Sequence, residues 1–225
     1  MSIMTNPIAL QARGFLRKAG FTKLALRYLR SREYEALFTA SMKSAVKPRW
    51  CVWDVGANVG FYSRLFAEWV GPDGSVIAFE PSLATRTMMD VNLPSNLTLL
   101  PFALAAKPGK AMLDRGETDT GETAQISESG TEEIDIETGD NIVFQNPIFM
   151  PDMVKVDVEG YELEVLNGMQ TLLSNSKLQK LFIEVHFAIL GSTGRNHVPA
   201  EIEGLLRSYG FKIKWIDQSH LCAAR

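Results

Sequence analysis

Trp53-Asp54-Val55-Gly56-Ala57-Asn58-Val59-Gly60, followed one helix length later by Phe79-Glu80-Pro81, decides how this chain is read. An apolar run that ends in Asp54 and turns at once through two glycines predicts a strand, a tight loop and a helix. Gly56 and Gly60 supply positions where the backbone can bend sharply or lie against a ligand. Glu80 then falls at the tip of a second strand, where a carboxylate can accept hydrogen bonds from both hydroxyls of a ribose. The loop runs D-x-G-x-x-x-G, with Asn58 at the place where the dinucleotide fingerprint has the glycine that touches a pyrophosphate. That opposes a dehydrogenase and favours an adenosine ligand without phosphates, its amino-acid end lying over the turn. S-adenosylmethionine fits this description, with Asp54, Gly56, Ala57, Asn58, Gly60, Glu80 and Pro81 as its binding set. No G-x-x-x-x-G-K-[ST] occurs, which disfavours a P-loop nucleotide hydrolase.

Outward from this stretch, strands and helices alternate, which argues for a parallel sheet covered on both faces. The pattern predicts strands over Cys51–Val55, Ser75–Phe79, Leu97–Leu104, Met153–Asp157 and Leu181–His186. Helices are predicted over Phe61–Val70, Ser82–Leu93, Glu162–Leu173 and Pro199–Tyr209, with a terminal hairpin of Phe211–Asp217 and Leu221–Arg225. In the helix after the glycine loop, Phe61, Leu65, Phe66 and Trp69 are expected on one buried face; in the later one, Leu163, Leu166, Met169 and Leu173. The alternation lapses over residues 114–141. Asp114 to Asp140 holds ten Asp or Glu against one basic residue, which predicts a surface hairpin and loop, or a lid over the substrate.

Four motifs then stand in order: Asp54 to Phe61, Ala78 to Pro81, Val154 to Glu162 with Val165 to Gly168, and Ile183 to His186. Together they resemble the FkbM-type family of S-adenosylmethionine-dependent methyltransferases, from about Trp50 to the C-terminus. The resemblance implies a Rossmann-like class I methyltransferase fold: a seven-stranded, mostly parallel sheet with a C-terminal antiparallel hairpin. It also implies O-methylation in most members, often of sugars or natural products, and amide N-methylation in some. The sequence departs from the family at Thr138-Gly139-Asp140, where members carry a larger apolar residue before the Asp.

Residues 1–49 carry none of the motifs and read as a basic helical cap, with helices over Pro7–Ala19, from Thr22, and over Ser31–Val46. Ten Lys or Arg against Glu33 and Glu35 give this segment +8, which leaves −11 for the rest of a chain whose net charge is −3. Such asymmetry fits a cap packed on an acidic body, an anionic acceptor, or peripheral contact with a membrane surface. Aromatic residues here are spaced for packing rather than for stacking bases, so nucleic acid is not the expected partner. With no long apolar span and no secretory leader, the expected location is the cytoplasm. Cys51 and Cys222 lie in apolar runs that read as strands; the resemblance implies that these strands are not neighbours, so the two read as reduced thiols. Trp50 and Trp53 read as core.

Candidate chemistry gathers at the strand ends: Asp157 and Glu159 after strand four, Glu184 and His186 at strand five. Asp157 also joins the cofactor set. Methyl transfer to a hydroxyl needs the hydroxyl proton removed, for which His186 is the first candidate base and Asp157 the second. Glu159 and Glu184 would then orient the acceptor. A divalent metal held by Asp157, Glu184 and His186 is the alternative route to an activated hydroxyl. His197 and His220, in a loop and a hairpin turn, are expected at the surface. The expected function is therefore methyl transfer from S-adenosylmethionine to a hydroxyl of a sugar, glycolipid or natural product. Amide or amine N-methylation and a non-catalytic binding module are the alternatives.

Overall fold

The computed structural model describes residues 35–114, 125–127 and 129–225. The chain divides into two compact units, 1–41 and 42–225. Residues 35–45 form a helix, α1; the helices expected over Pro7–Ala19 and from Thr22 lie outside the described residues. Among the described residues no helix is long and apolar enough to cross a membrane.

β1 (Cys51–Val55) is buried at every position, as a continuous apolar run requires of a strand covered on both faces. It leads into α2 (Phe61–Val70), which buries Ser63, Phe66, Ala67 and Val70, whereas Phe61 is 62% exposed. The expected stripe is thus rotated. Ser63 donates its hydroxyl to Asp54 Oδ2 at 2.6 Å inside the fold, and a residue two positions earlier, about 200° around a helix, must face outward. β2 (Ser75–Phe79) pairs in parallel with β1, and α3 (Leu83–Met89) follows, capped by Ser82 and shorter than expected.

β3 (Leu97–Leu100) pairs with β2, but the single strand expected as far as Leu104 is broken. Pro101 has no N–H to continue the ladder. Beyond it, β4 (Phe102–Leu104) joins β5 (Gly109–Asp114), β6 (Gln125–Ile126) and β7 (Glu132–Glu137) in a second sheet ordered β4-β7-β5-β6. The acidic segment pairs antiparallel, as the expected hairpin would, but as part of a four-stranded sheet and not a surface loop. Its acids alternate with its apolar residues: Ile134 is buried between exposed Glu133 and Asp135.

α4 (Gly139–Gln145) and a 3-10 turn at Pro147–Phe149, neither expected, carry the chain back to the main sheet. Gly139 accounts for the departure from the family at this point. A Cβ here would lie 2.6 Å from Met169 Cγ and 3.2 Å from the Trp53 ring, so a larger residue fits only if Met169 moves. β8 (Met153–Val156) then enters beside β1. The long helix expected next is two: α5 (Glu162–Asn167) and α6 (Gln170–Ser174). The Asp140 carboxylate accepts the backbone N–H groups of Thr171 and Leu172 and so starts the second one afresh. Leu163, Leu166, Met169 and Leu173 are buried as expected.

β9 (Lys180–Glu184), α7 (Phe187–Ser192), α8 (Val198–Ser208), β10 (Lys212–Trp215) and β11 (His220–Ala224) complete the unit. The main sheet has the order β10-β11-β9-β8-β1-β2-β3. It is parallel except where β11 runs against β9 and β10 against β11, as expected for the class I methyltransferase fold. Strand order reverses between β1 and β8, so their carboxyl ends flank the crevice where such sheets bind ligands. Cys51 and Cys222 are free thiols on β1 and β11, with β8 and β9 between.

Candidate active site

At that crevice β1 gives way to the glycine loop. Gly56 has φ 77°, and a Cβ there would lie 1.8 Å from the Asp157 carbonyl oxygen. Only a glycine lets the ends of β1 and β8 approach so closely. Asn58, at φ 50°, donates its backbone N–H to Glu80 Oε2 at 2.9 Å, and Ser82 N–H reaches Glu80 Oε1 at 2.9 Å. Each carboxylate oxygen of Glu80 thus keeps a lone pair free of backbone. Burial pushes this carboxyl up from its ordinary range, while the two N–H groups pull the other way. The turn is held from the second sheet, where Glu132 accepts Ser82 Oγ–H at 2.9 Å and Leu83 N–H at 2.7 Å.

An open cleft lies against this turn. Of the expected cofactor set, Gly56, Asn58, Glu80, Pro81 and Asp157 line it, while Asp54, Ala57 and Gly60 stand behind. Its far wall is apolar, with Phe102, Leu113, Ile126 and Ile134 from the second sheet. Asn58 lines this cleft, and its Oδ1 is buried without a hydrogen-bond partner. The site therefore offers an anchored carboxylate, an unpaired acceptor and a dry wall. A ribose, a donor group and a purine would satisfy these in turn, so the residues fit S-adenosylmethionine.

Asp54 is wholly buried, and its partner explains why: Lys155, from the middle of β8 and 2% exposed, places Nζ 3.0 Å from Asp54 Oδ1. The same Nζ lies 3.4 Å from Asp157 Oδ2 and 3.4 Å from the Gly56 carbonyl oxygen, and 5.0 Å above the Tyr62 ring. Burial alone would lower the ammonium's pKa, but Asp54 and Asp157 outweigh it and hold the lysine charged. Lys155 thereby ties the glycine loop to the end of β8. The signal for it was a lone cation in the apolar run Met153 to Val156, a residue that a buried strand admits only with a partner.

Past Asp157 the chain turns tightly, with Glu159 at φ 45° and Gly160 at φ 91°. Arg195, also missed in the sequence, fixes this turn by donating to the Gly160 carbonyl at 2.8 Å and pairing with Glu164. The four groups expected to converge are brought together here. His186 Nε2 lies 3.4 Å from Glu159 Oε2, 3.6 Å from Asp157 Oδ1 and 4.0 Å from Glu184 Oε1. β9 stops at Glu184, so His186 reaches the cluster from the start of α7 and not along the strand. Its Nδ1 is 2.6 Å from Oε1 of the buried Glu162, which also accepts Gly160 N–H. Burial would lower the imidazole's pKa, but Glu162, Asp157 and Glu159 overcome it and push it up to about 9. Burial, helped by the neighbouring acids and opposed by His186, pushes Glu159 up to about 7. At neutral pH the ring in this state holds both protons, and Glu159 is the group poised to exchange one.

His220 is the correction among the histidines. It is buried, not at the surface, with Nδ1 2.7 Å from Asp217 Oδ2 and Nε2 3.4 Å from Glu184 Oε2. The turn between β10 and β11 folds in because Asp217 also accepts the N–H groups of Ser219 and His220. His197 is exposed, as expected.

With this geometry in hand, the comparisons are specific. The methyltransferase FkbM domain model matches residues 54–213. The chain belongs to this family. Its curated relatives include the hexuronic acid methyltransferase AglP of Haloferax volcanii, 30% identical over 141 residues, 61% of this chain and 56% of that protein. Methyltransferase sdnD of Sordaria araneosa is 27% identical, over 76% of this chain and 80% of that protein. A crystal structure of methyltransferase FkbM from Methylobacillus flagellatus superposes with a TM-score of 0.55 at 18% identity, over 80% of this chain and 44% of that one. The chain thus spans about half the length of AglP and of the solved FkbM structure, and the latter likeness is one of fold.

Proposed function

We propose that this protein transfers a methyl group from S-adenosylmethionine to a hydroxyl of a sugar or similar small, oxygen-rich acceptor. The observation that carries the reading is Glu80: a carboxylate fixed by Asn58 and Ser82 N–H groups at the tip of β2, lining a cleft beside Asn58, whose buried Oδ1 lacks a donor. When bound, S-adenosylmethionine supplies an electrophilic methyl group on a sulfonium sulfur. The chain's own residues hold its ribose at Glu80 and its amino-acid end at the glycine loop, and exclude water with the apolar wall. Asp157 and Glu159 line the same cleft, so an acceptor hydroxyl beside them can pass its proton to one of these carboxylates. His186 then acts through Glu159 and Asp157, balancing their charge. A sugar acceptor agrees with the likeness to AglP, a hexuronic acid methyltransferase.

One observation favours an amine acceptor as the second reading. Asp157, Glu159, Glu162 and Glu184 surround one imidazole, a wall that attracts a cation. Calorimetry with S-adenosylhomocysteine tests the cofactor. Glu80→Ala should weaken binding by roughly ten- to a hundredfold, about 1.5–3 kcal/mol, the worth of a charge-assisted hydrogen bond to the ribose. Binding of NAD without binding of S-adenosylhomocysteine would overturn the reading. Methyl transfer to a panel of uronic acids, neutral sugars and amino sugars then decides between hydroxyl and amine.

A further inference from the structure

We propose that Asp157, Glu159 and His186 hold one divalent cation at the acceptor side of the cleft, with Glu162 orienting the imidazole. The three ligand atoms lie within 4.8 Å of one another, and His186 Nε2 is 3.4 Å from Glu159 Oε2 and 3.6 Å from Asp157 Oδ1. Ligands about 2.1 Å from an ion and 90–110° apart stand about 3.0–3.4 Å from each other. The trio is spread as a coordination shell is, and wider than hydrogen bonds would draw it. Glu184, which the sequence placed among the ligands, is turned between His186 and His220.

A second observation is independent of those distances. Glu162 is wholly buried and holds His186 Nδ1 at 2.6 Å, while its Oε2 takes no hydrogen bond. A carboxylate behind the distal nitrogen of an imidazole is the outer-shell arrangement that fixes a metal-binding histidine, leaving Nε2 to face the ion. The charge around the trio points the same way. Lys155 is shared between Asp54 and Asp157, and His220 between Asp217 and Glu184, so with Glu159 and Glu162 six carboxylates stand against three cationic side chains, Lys155, His186 and His220. Such a surplus beside a cleft repels an anionic acceptor unless a cation intervenes. With two carboxylates and one nitrogen, the site suits a hard or borderline ion of the magnesium and manganese class. Asp157 and Glu159 line the cleft, so the ion's remaining positions would take acceptor hydroxyl oxygens, lowering the pKa of the one to be methylated. This assignment rests on the methyl-transfer reading for its purpose and on the chain's own residues for its existence.

The test is Mn²⁺ binding to the full chain after treatment with EDTA, followed by loss of the free-ion electron paramagnetic resonance signal. One saturable ion per chain is expected, displaced by Mg²⁺. Asp157→Asn and Glu159→Gln should each weaken it at least tenfold, whereas Glu133→Gln, on the exposed face of β7, should leave it unchanged. Calorimetry with S-adenosylhomocysteine on the same samples shows that the variants are folded. Should either variant lose that binding too, Glu162→Gln provides the alternative probe and should also weaken Mn²⁺. Absence of saturable Mn²⁺ binding to the wild type overturns the assignment, as does binding that none of these three substitutions reduces. A protein that binds S-adenosylhomocysteine and no Mn²⁺ loses the metal and keeps the methyl-transfer reading. One that binds Mn²⁺ and no S-adenosylhomocysteine does the reverse.

Discussion

Lys155→Met removes the charge that joins three parts of the site while keeping most of the stem. In the wild type, Nζ meets Asp54 Oδ1 at 3.0 Å, Asp157 Oδ2 at 3.4 Å and the Gly56 carbonyl at 3.4 Å, with Lys155 and Asp54 both out of solvent. The variant leaves Asp54 buried with the Ser63 hydroxyl as its remaining side-chain hydrogen bond. Removing one partner of a buried ion pair costs about 3–5 kcal/mol. In a domain of this size each kcal/mol moves the melting temperature by about 2–4 °C, so a fall of about 6–20 °C is expected. Neutralising Asp54 as well, in Lys155→Met with Asp54→Asn, should recover at least half of it, because an amide still accepts the Ser63 hydroxyl and no longer carries a charge. Thermal melting of the wild type, both single variants and the double variant closes the cycle. A single variant melting within about 2 °C of wild type, or a double variant falling by the sum of the singles, would refute the claim that the two charges depend on each other. At temperatures where the variant is folded, S-adenosylhomocysteine should bind about tenfold more weakly, since the loop that carries Asn58 is no longer tied to β8.

The two glycines of the loop should behave differently. Gly56→Ala drives a Cβ into the Asp157 carbonyl and should abolish S-adenosylhomocysteine binding by calorimetry, whereas Gly60→Ala meets only the Met89 side chain, Cγ at 2.8 Å and Cε at 3.0 Å. The latter should lower stability by about 1–2 kcal/mol for its left-handed backbone, measured by urea unfolding, with binding retained. The Asp217–His220 pair predicts a pH dependence. Burial would lower the His220 pKa, but Glu184 and Asp217 raise it. Its contribution is therefore full below its ordinary value of about 6.5 and is lost as pH rises through the raised one. Burial would raise Asp217, but the Ser219 and His220 groups lower it, so its contribution holds above about pH 4 and is lost as pH falls through the lowered value. The melting-temperature gap between wild type and His220→Gln should be widest near pH 5–6 and narrow toward pH 9. A gap that widens toward alkaline pH would contradict the assignment.

What could be read in the sequence was whatever depends on local pattern. β1, β2, α2 and the hairpin follow from apolar runs punctuated by glycine and proline, and Glu80 from its place one strand after the loop. What escaped depends on contacts between distant residues. The loop in the acidic segment was misread because its charge was counted while the alternation around Ile134 in β7 was not, and Ile126 and Ile134 build a cleft wall with Leu113. The break between α5 and α6 is made by Asp140, thirty residues earlier in the chain, and no helix propensity records it. His220 was assigned to the surface because hairpin turns are usually exposed, a rule that yields once Asp217 offers a buried partner.

Lys155 and Glu162 share a different lesson, since each stood inside a quoted motif and was passed over as filler between its acids. A charged side chain in a run that is otherwise wholly apolar has to find a partner or lower the stability of the fold. The pairings found here divide the acids between two tasks. Asp54 is spent on Lys155, which holds the glycine loop against β8 and has no surface left for a ligand. Glu162 is spent on His186, which it turns toward Asp157 and Glu159. Only after these two are accounted for does the cleft-facing chemistry reduce to Glu80 on the cofactor side and Asp157 with Glu159 on the acceptor side. A sequence motif names the acids together, and it is the burial of their cations that sorts them.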